Sequence, residues 1–238
     1  MFAGLGFIVG QVVSSVLLVI VATITGHGSQ IAQLATQPVP PAWVEVTGLV
    51  GLWFGFIGAI VLTSRLRGTG SVVRDMGLTI RPWDVLTGPL IGLGGQLLLL
   101  PVLYLPLEHV VPHLNQRLKV PAQHLTGGFP GSDLAVIAFL TVVVVPVIEE
   151  TFFRGLVLRA LLRVCKGAGP VMGVALAAVA DGIIFGLAHF ELLELLGLSA
   201  FGAVLALMAY KFRRLGPGIF AHGTFNLLAI LSVAGVLH

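Results

Sequence analysis

The sequence predicts an all-α protein that crosses a membrane about seven times, a polytopic helix bundle with a polar cavity inside it. Three observations carry this. Of 238 residues, 57% are hydrophobic and only 10% are charged, where soluble domains average about 25% charged. The mean hydropathy is +1.05. Apolar runs bounded by charge or by Pro/Gly clusters recur at 2–24, 46–64, 84–107, 133–162, 169–190, 195–210 and 217–237, most near the roughly 20 residues that a helix needs to cross a bilayer core. The formal charge of +3 does not point to nucleic acid, because the basic residues are spread between apolar spans and form no stripe. Cys165 is the only cysteine, which excludes an intramolecular disulfide framework and a cysteine-held zinc. With no internal repeat or soluble segment, residues 1–238 read as one membrane domain.

The elements follow in order. No Lys or Arg precedes the first run, and six further runs follow it, so it reads as a retained span rather than a cleaved signal. The third run contains Pro89, Pro101 and Pro106 and is expected to be kinked, since each proline withholds a helix N–H. Arg65, Arg67, Arg74 and Arg81 follow the second run, Arg159, Arg163 and Lys166 follow the fourth, and Lys211, Arg213 and Arg214 follow the sixth. Basic residues accumulate on the cytoplasmic side, so these ends are expected in the cytoplasm, with the N-terminus inside and the C-terminus outside. The 108–132 segment is then the largest external loop. Its His109, His113 and His124 read as solvated loop histidines, because Pro112 separates the first two and the segment is rich in Pro and Gly.

Glu149, Glu150, Arg154 and Asp181 lie within apolar runs, where an ionisable group is costly and is read first as functional. His189, His222 and Asn226 join them. Glu150 and Arg154 are four residues apart with the acid nearer the N-terminus, the favoured order for a helical ion pair. Glu149 is rotated about 100° away and is left without that partner. His222 and Asn226 share one face of the seventh run and present imidazole and amide donors together, a plausible oxyanion clamp. Asp181, Phe185 and His189 form one edge of the fifth run. Counting from the turn near Lys166–Pro170, Asp181 and Arg154 are both about 18 Å up and should pair across the hairpin. On the same count Glu149 is about 24 Å and His189 about 30 Å up, level after a modest tilt, for which Pro146 supplies a possible kink. A buried carboxylate beside a histidine and water is acid–base chemistry.

These residues carry a family resemblance. Glu149-Glu150-Thr151-Phe152-Phe153-Arg154-Gly155 resembles the EExxFR motif of the CAAX-protease and bacteriocin-processing (ABI) family of intramembrane glutamate proteases. Phe185-Gly186-Leu187-Ala188-His189 resembles that family's FxxxH element, and His222-Gly223-Thr224-Phe225-Asn226 its HxxxN element. The three occur in the family's order, on three runs, within the last part of the chain, whose motif-bearing core is about 133–238. The resemblance implies an endopeptidase without metal or other cofactor. In it Glu149 and His189 activate a water, His222 and Asn226 stabilise the oxyanion, and Glu150 and Arg154 support the site. Asp181 is not a motif residue. It is carried as supporting on the pairing argument alone.

Competing readings have less behind them. A zinc protease lacks its HExxH motif. A transporter would be expected to show an inverted repeat or paired broken helices. The chief alternative is a non-catalytic scaffold or immunity-type protein of the same fold that binds a membrane partner, since a fold can keep a constellation without using it. The peptidase is preferred because every motif position is filled. The expected partners are the lipid bilayer and a membrane-associated peptide or protein substrate, and the expected location is a prokaryotic plasma membrane.

Overall fold

The computed structural model describes residues 2–35, 37, 40–126 and 131–233. They form seven helices long and apolar enough to cross a membrane: α1 (Phe2–Ile24), α2 (Ala42–Arg67), α3 (Asp84–Glu108), α4 (Asp133–Ala168), α5 (Pro170–Ala188), α6 (Leu195–Phe212) and α7 (Gly216–Val233). The described residues contain no strand. The chain is a multi-pass, all-α membrane protein. The expected extension of the last span to 237 falls partly outside the described residues. One boundary is corrected: α4 does not stop near 162 but runs 36 residues to Ala168. At 1.5 Å per residue it is about 54 Å long, more than a bilayer core of about 30 Å, so part of α4 lies beyond the core.

Small residues set the helix contacts. Gly6 and Gly10 of α1 lie against Gly55 and Leu52 of α2, a close backbone approach of the kind that stands in for hydrophobic association in lipid. The opposite face of α1 points outward, with Leu5, Ile8, Val12 and Val16 exposed. In contrast, α7 is central. Gly88 and Gly92 of α3 pack on its Pro217 and Ala221, and Gly182 of α5 packs on Ser199 and Ala203 of α6. Aromatic pairs fill the spaces between: Phe56 of α2 stacks on Phe152 of α4 with centroids 3.9 Å apart, and Phe201 of α6 stacks on Phe225 of α7 at 4.1 Å.

The Arg-rich ends of α2, α4 and α6 are tied together. Asp75, in the short helix Val72–Met76 after α2, accepts from Ser64 Oγ at 2.6 Å and from the Thr69 N–H, and these bonds hold its carboxyl below the usual range. Arg159 of α4 donates to the Asp75 carbonyl. The Gly77 and Thr79 carbonyls accept from the N–H groups of Leu215 and Gly216 where α7 begins. At the start of α3, Asp84 is fully buried and pairs with Arg214 at 2.5 Å. Burial removes its water, so it takes a cation and the Arg81 N–H instead.

Within α3 and α4 the prolines do more than kink. Gly95–Leu99 and Leu140–Val144 are π-helical turns, each followed after one residue by a proline, Pro101 and Pro146. In α4 the Val145 N–H bonds to the Leu140 carbonyl, five residues back. The Thr141 carbonyl thereby loses its α-helical donor. Its π-helical donor would be residue 146, a proline, which has no N–H.

Candidate active site

Glu149, Glu150 and Arg154 lie on α4, all buried. Arg154 Nη1 donates to Glu150 Oε1 at 2.9 Å, the i, i+4 pair that the spacing predicts. Its Nη2 donates to the Gly202 carbonyl of α6 at 3.0 Å, and its Nε lies 3.4 Å from Asp181 Oδ2 on α5. The guanidinium rests 4.4 Å from the centre of the Phe185 ring. One cation therefore serves two buried acids, a carbonyl and a ring, and the hairpin count placing Asp181 level with Arg154 agrees with this contact.

His222 of α7 sits between the two glutamates. Its Nδ1 is 3.1 Å from Glu150 Oε1 and its Nε2 is 3.9 Å from Glu149 Oε2, the second too long for a direct hydrogen bond. Glu149 Oε2 has no hydrogen-bond partner among the described residues. Glu150 Oε2 is accommodated over Gly218, where a Cβ would meet it. The neighbour His222, four residues from Asn226, faces α4 as expected, but the Asn226 amide donates to the Thr141 carbonyl at 2.9 Å. The donors of the expected clamp thus face Glu150 and Thr141, with the second hydrogen of the Asn226 amide remaining.

His189 follows directly on α5. Its Nδ1 lies 2.8 Å from the Phe185 carbonyl. A carbonyl only accepts, so Nδ1 carries the proton and Nε2 is left as the basic nitrogen. The Phe185 ring is 4.7 Å from the His189 ring and 5.5 Å from the His222 ring, centre to centre, and so connects the two histidines. The hairpin register brings His189 to the height of Glu149 without a tilt. Gly173 packs on the Cys165 carbonyl, and Glu149 and His189 are each sixteen residues from that contact, about 24 Å along their helices.

The turn after His189 is held from α3. Tyr104 Oη donates to the Leu193 carbonyl at 2.7 Å and accepts from the Gly197 N–H at 3.0 Å, while Phe190 takes a left-handed conformation at φ 57°. Burial, then the neighbouring Glu191, pushes the Glu194 carboxyl in this turn up to about 7. A raised folded-state value favours the fold while the group is protonated. That contribution is complete below about 4.5 and is lost as pH rises through about 7. Glu194→Gln is therefore expected to raise the melting temperature at pH 8 and leave it unchanged at pH 4, as read by thermal unfolding in one detergent.

Among the described residues, no three His, Cys, Asp or Glu side chains are grouped to hold a metal ion. His109 and His113 are exposed, and the side chain of His124 lies outside the described residues. Sequence reasoning missed Thr141, Gly202 and Gly218 as parts of the site. A glycine facing a polar helix and a threonine five residues before a proline were the available signals.

A polytopic helix bundle with carboxylates and histidines gathered inside the span is an arrangement suited to acid–base chemistry within a membrane. Residues 131–228 match the family model described as Type II CAAX prenyl endopeptidase Rce1-like, so this segment is similar to the CAAX-protease family that the motifs resemble. The match takes in all three motifs. No curated protein and no solved structure matches the chain.

Proposed function

We propose that the protein is an intramembrane glutamate endopeptidase that cleaves a membrane-associated peptide or protein. The observation that carries this is Glu149: a buried carboxylate whose Oε2 has no hydrogen-bond partner and which, among the described residues, has no ion pair with an arginine, whereas the acids beside it do. Glu150 and Asp181 share Arg154, so their charges are answered and they shape the site. Glu149 and the Nε2 of His189 are the groups available to take a proton from water. The water oxygen adds to the peptide carbonyl carbon, and its proton passes to the Glu149–His189 pair. The oxyanion takes the second hydrogen of the Asn226 amide and, when His222 acts as an imidazolium with Nδ1 held by Glu150, the Nε2–H of His222. On collapse the C–N bond breaks, the held proton goes to the leaving amine, and a new carboxyl terminus remains.

The site lies nearer the Arg-rich end of the bundle. Glu150 is nine residues along α4 from Arg159, and His222 is eight residues from Arg214, distances of about 12–14 Å. Basic residues mark the cytoplasmic face, and this supports our reading of a cytoplasmic N-terminus and a site nearer that face, in a prokaryotic plasma membrane.

The test is incubation of the purified protein in lipid vesicles with internally quenched peptides, one set ending in a farnesylated Cys-aliphatic-aliphatic-X sequence and one anchored by an acyl chain. The wild type is expected to cleave at least one set, with and without a zinc chelator, and Glu149→Ala to cleave none. Equal cleavage by Glu149→Ala would overturn the proposal. No cleavage of either set by the wild type would favour the non-catalytic scaffold.

A further inference from the structure

We infer that Pro146 is a positioning residue that, by withholding an N–H from α4, keeps the Thr141 carbonyl free to hold the side chain of Asn226; this rests on the peptidase reading. The π-helical turn Leu140–Val144 directs the Val145 N–H to the Leu140 carbonyl. The next donor along α4 is absent because residue 146 is proline. In a membrane a carbonyl without a helix donor must find another partner, and the Asn226 Nδ2 meets this one at 2.9 Å. Gly223, between His222 and Asn226, packs on the adjacent Val142 carbonyl, so α7 approaches α4 closely at the turn whose hydrogen bonding the proline has altered. One amide hydrogen of Asn226 is engaged by Thr141, and the amide plane is thereby set. The other hydrogen points in a direction defined by that plane, one helical turn from His222.

A proline that served only to bend α4 would affect stability and activity together. A positioning proline separates them. Pro146→Ala returns an N–H that reaches the Thr141 carbonyl within α4, so the helix gains a bond and Asn226 loses its tie. The expected result, on the quenched peptides above, is a kcat lower by about 10- to 100-fold, in line with impairing one oxyanion donor. KM should stay within about twofold, with a melting temperature equal to or above that of the wild type. Exchange of the Asn226 side-chain amide, followed by nitrogen-15 NMR of the protein in detergent micelles, should be faster in Pro146→Ala. This readout does not depend on cleavage.

Glu149→Gln is assayed in parallel. If it is inactive while Pro146→Ala keeps wild-type kcat, the inference fails and the peptidase reading stands. Unchanged amide exchange in Pro146→Ala overturns the inference as well. Pro146→Val provides a second variant with an N–H, and loss of folded protein in both would show that Pro146 serves packing, which also overturns it. Full activity in Glu149→Gln is the separate failure of the peptidase reading, and the inference falls with it.

Discussion

Arg154→Met is expected to be the most destabilising single substitution in the bundle, costing about 3–5 kcal/mol, the range for removing one partner of a buried ion pair. Arg154 is 1% exposed, and Glu150 and Asp181 are fully buried. Met fills much of the same volume, so the loss is one of charge and hydrogen bonds rather than of packing. It leaves Glu150 without its 2.9 Å donor, Asp181 without the cation 3.4 Å away, and the Gly202 carbonyl without its side-chain donor. The measurement is thermal unfolding in one detergent, with Asp181→Asn introduced alone and in the Arg154→Met background. Asp181→Asn should be less harmful, or even restorative, once Arg154 is gone, because it removes an orphaned charge. Additive effects of the two substitutions would contradict the pairing.

The second large effect separates the adjacent glutamates. Glu149→Gln should lower peptide cleavage by about 10³-fold or more, within the range attributed to a general base, with little loss of folded protein. Gln keeps the shape and removes only a charge that no cation answers at hydrogen-bond distance. Glu150→Gln should instead lower the melting temperature, because Glu150 Oε1 takes both Arg154 Nη1 and His222 Nδ1 and its charge neutralises the guanidinium. Cleavage by Glu150→Gln should fall through displacement of His222. Cleavage rate and melting temperature for both variants, in the same detergent, check the contrast. A stable, fully active Glu150→Gln would contradict it.

Much of this arrangement is legible in the chain itself. Helix spacing alone pairs Glu150 with Arg154, isolates Glu149, and sets His222 and Asn226 on one face, because these depend only on 3.6 residues per turn. Asp181 is reachable too, by counting along two antiparallel helices from their shared turn. For His189 the count leaves a difference of about 6 Å from Glu149, because the contact that sets the hairpin register, Gly173 on the Cys165 carbonyl, is tertiary. For the same reason His222 is legible as a polar group in a span but not as the side chain facing both glutamates. The Asn226–Thr141 bond depends on a π-helical turn, which is a hydrogen-bond shift invisible to apolar periodicity. Asp84 and Arg214 escape notice because a charge at a span end is ordinary, and only the packing of α3 against α7 buries the acid.

The central claim is that Glu149 and His189 act on one water. It is tested most directly by the cleavage rates of Glu149→Gln, His189→Gln and the double variant, measured on one quenched peptide at equal amounts of folded protein. Groups that act as a unit lose their effect together, so the double variant should be no more than about threefold slower than the slower single variant. A double variant slowed by the product of the two single losses would show that the residues act separately, and would contradict the account.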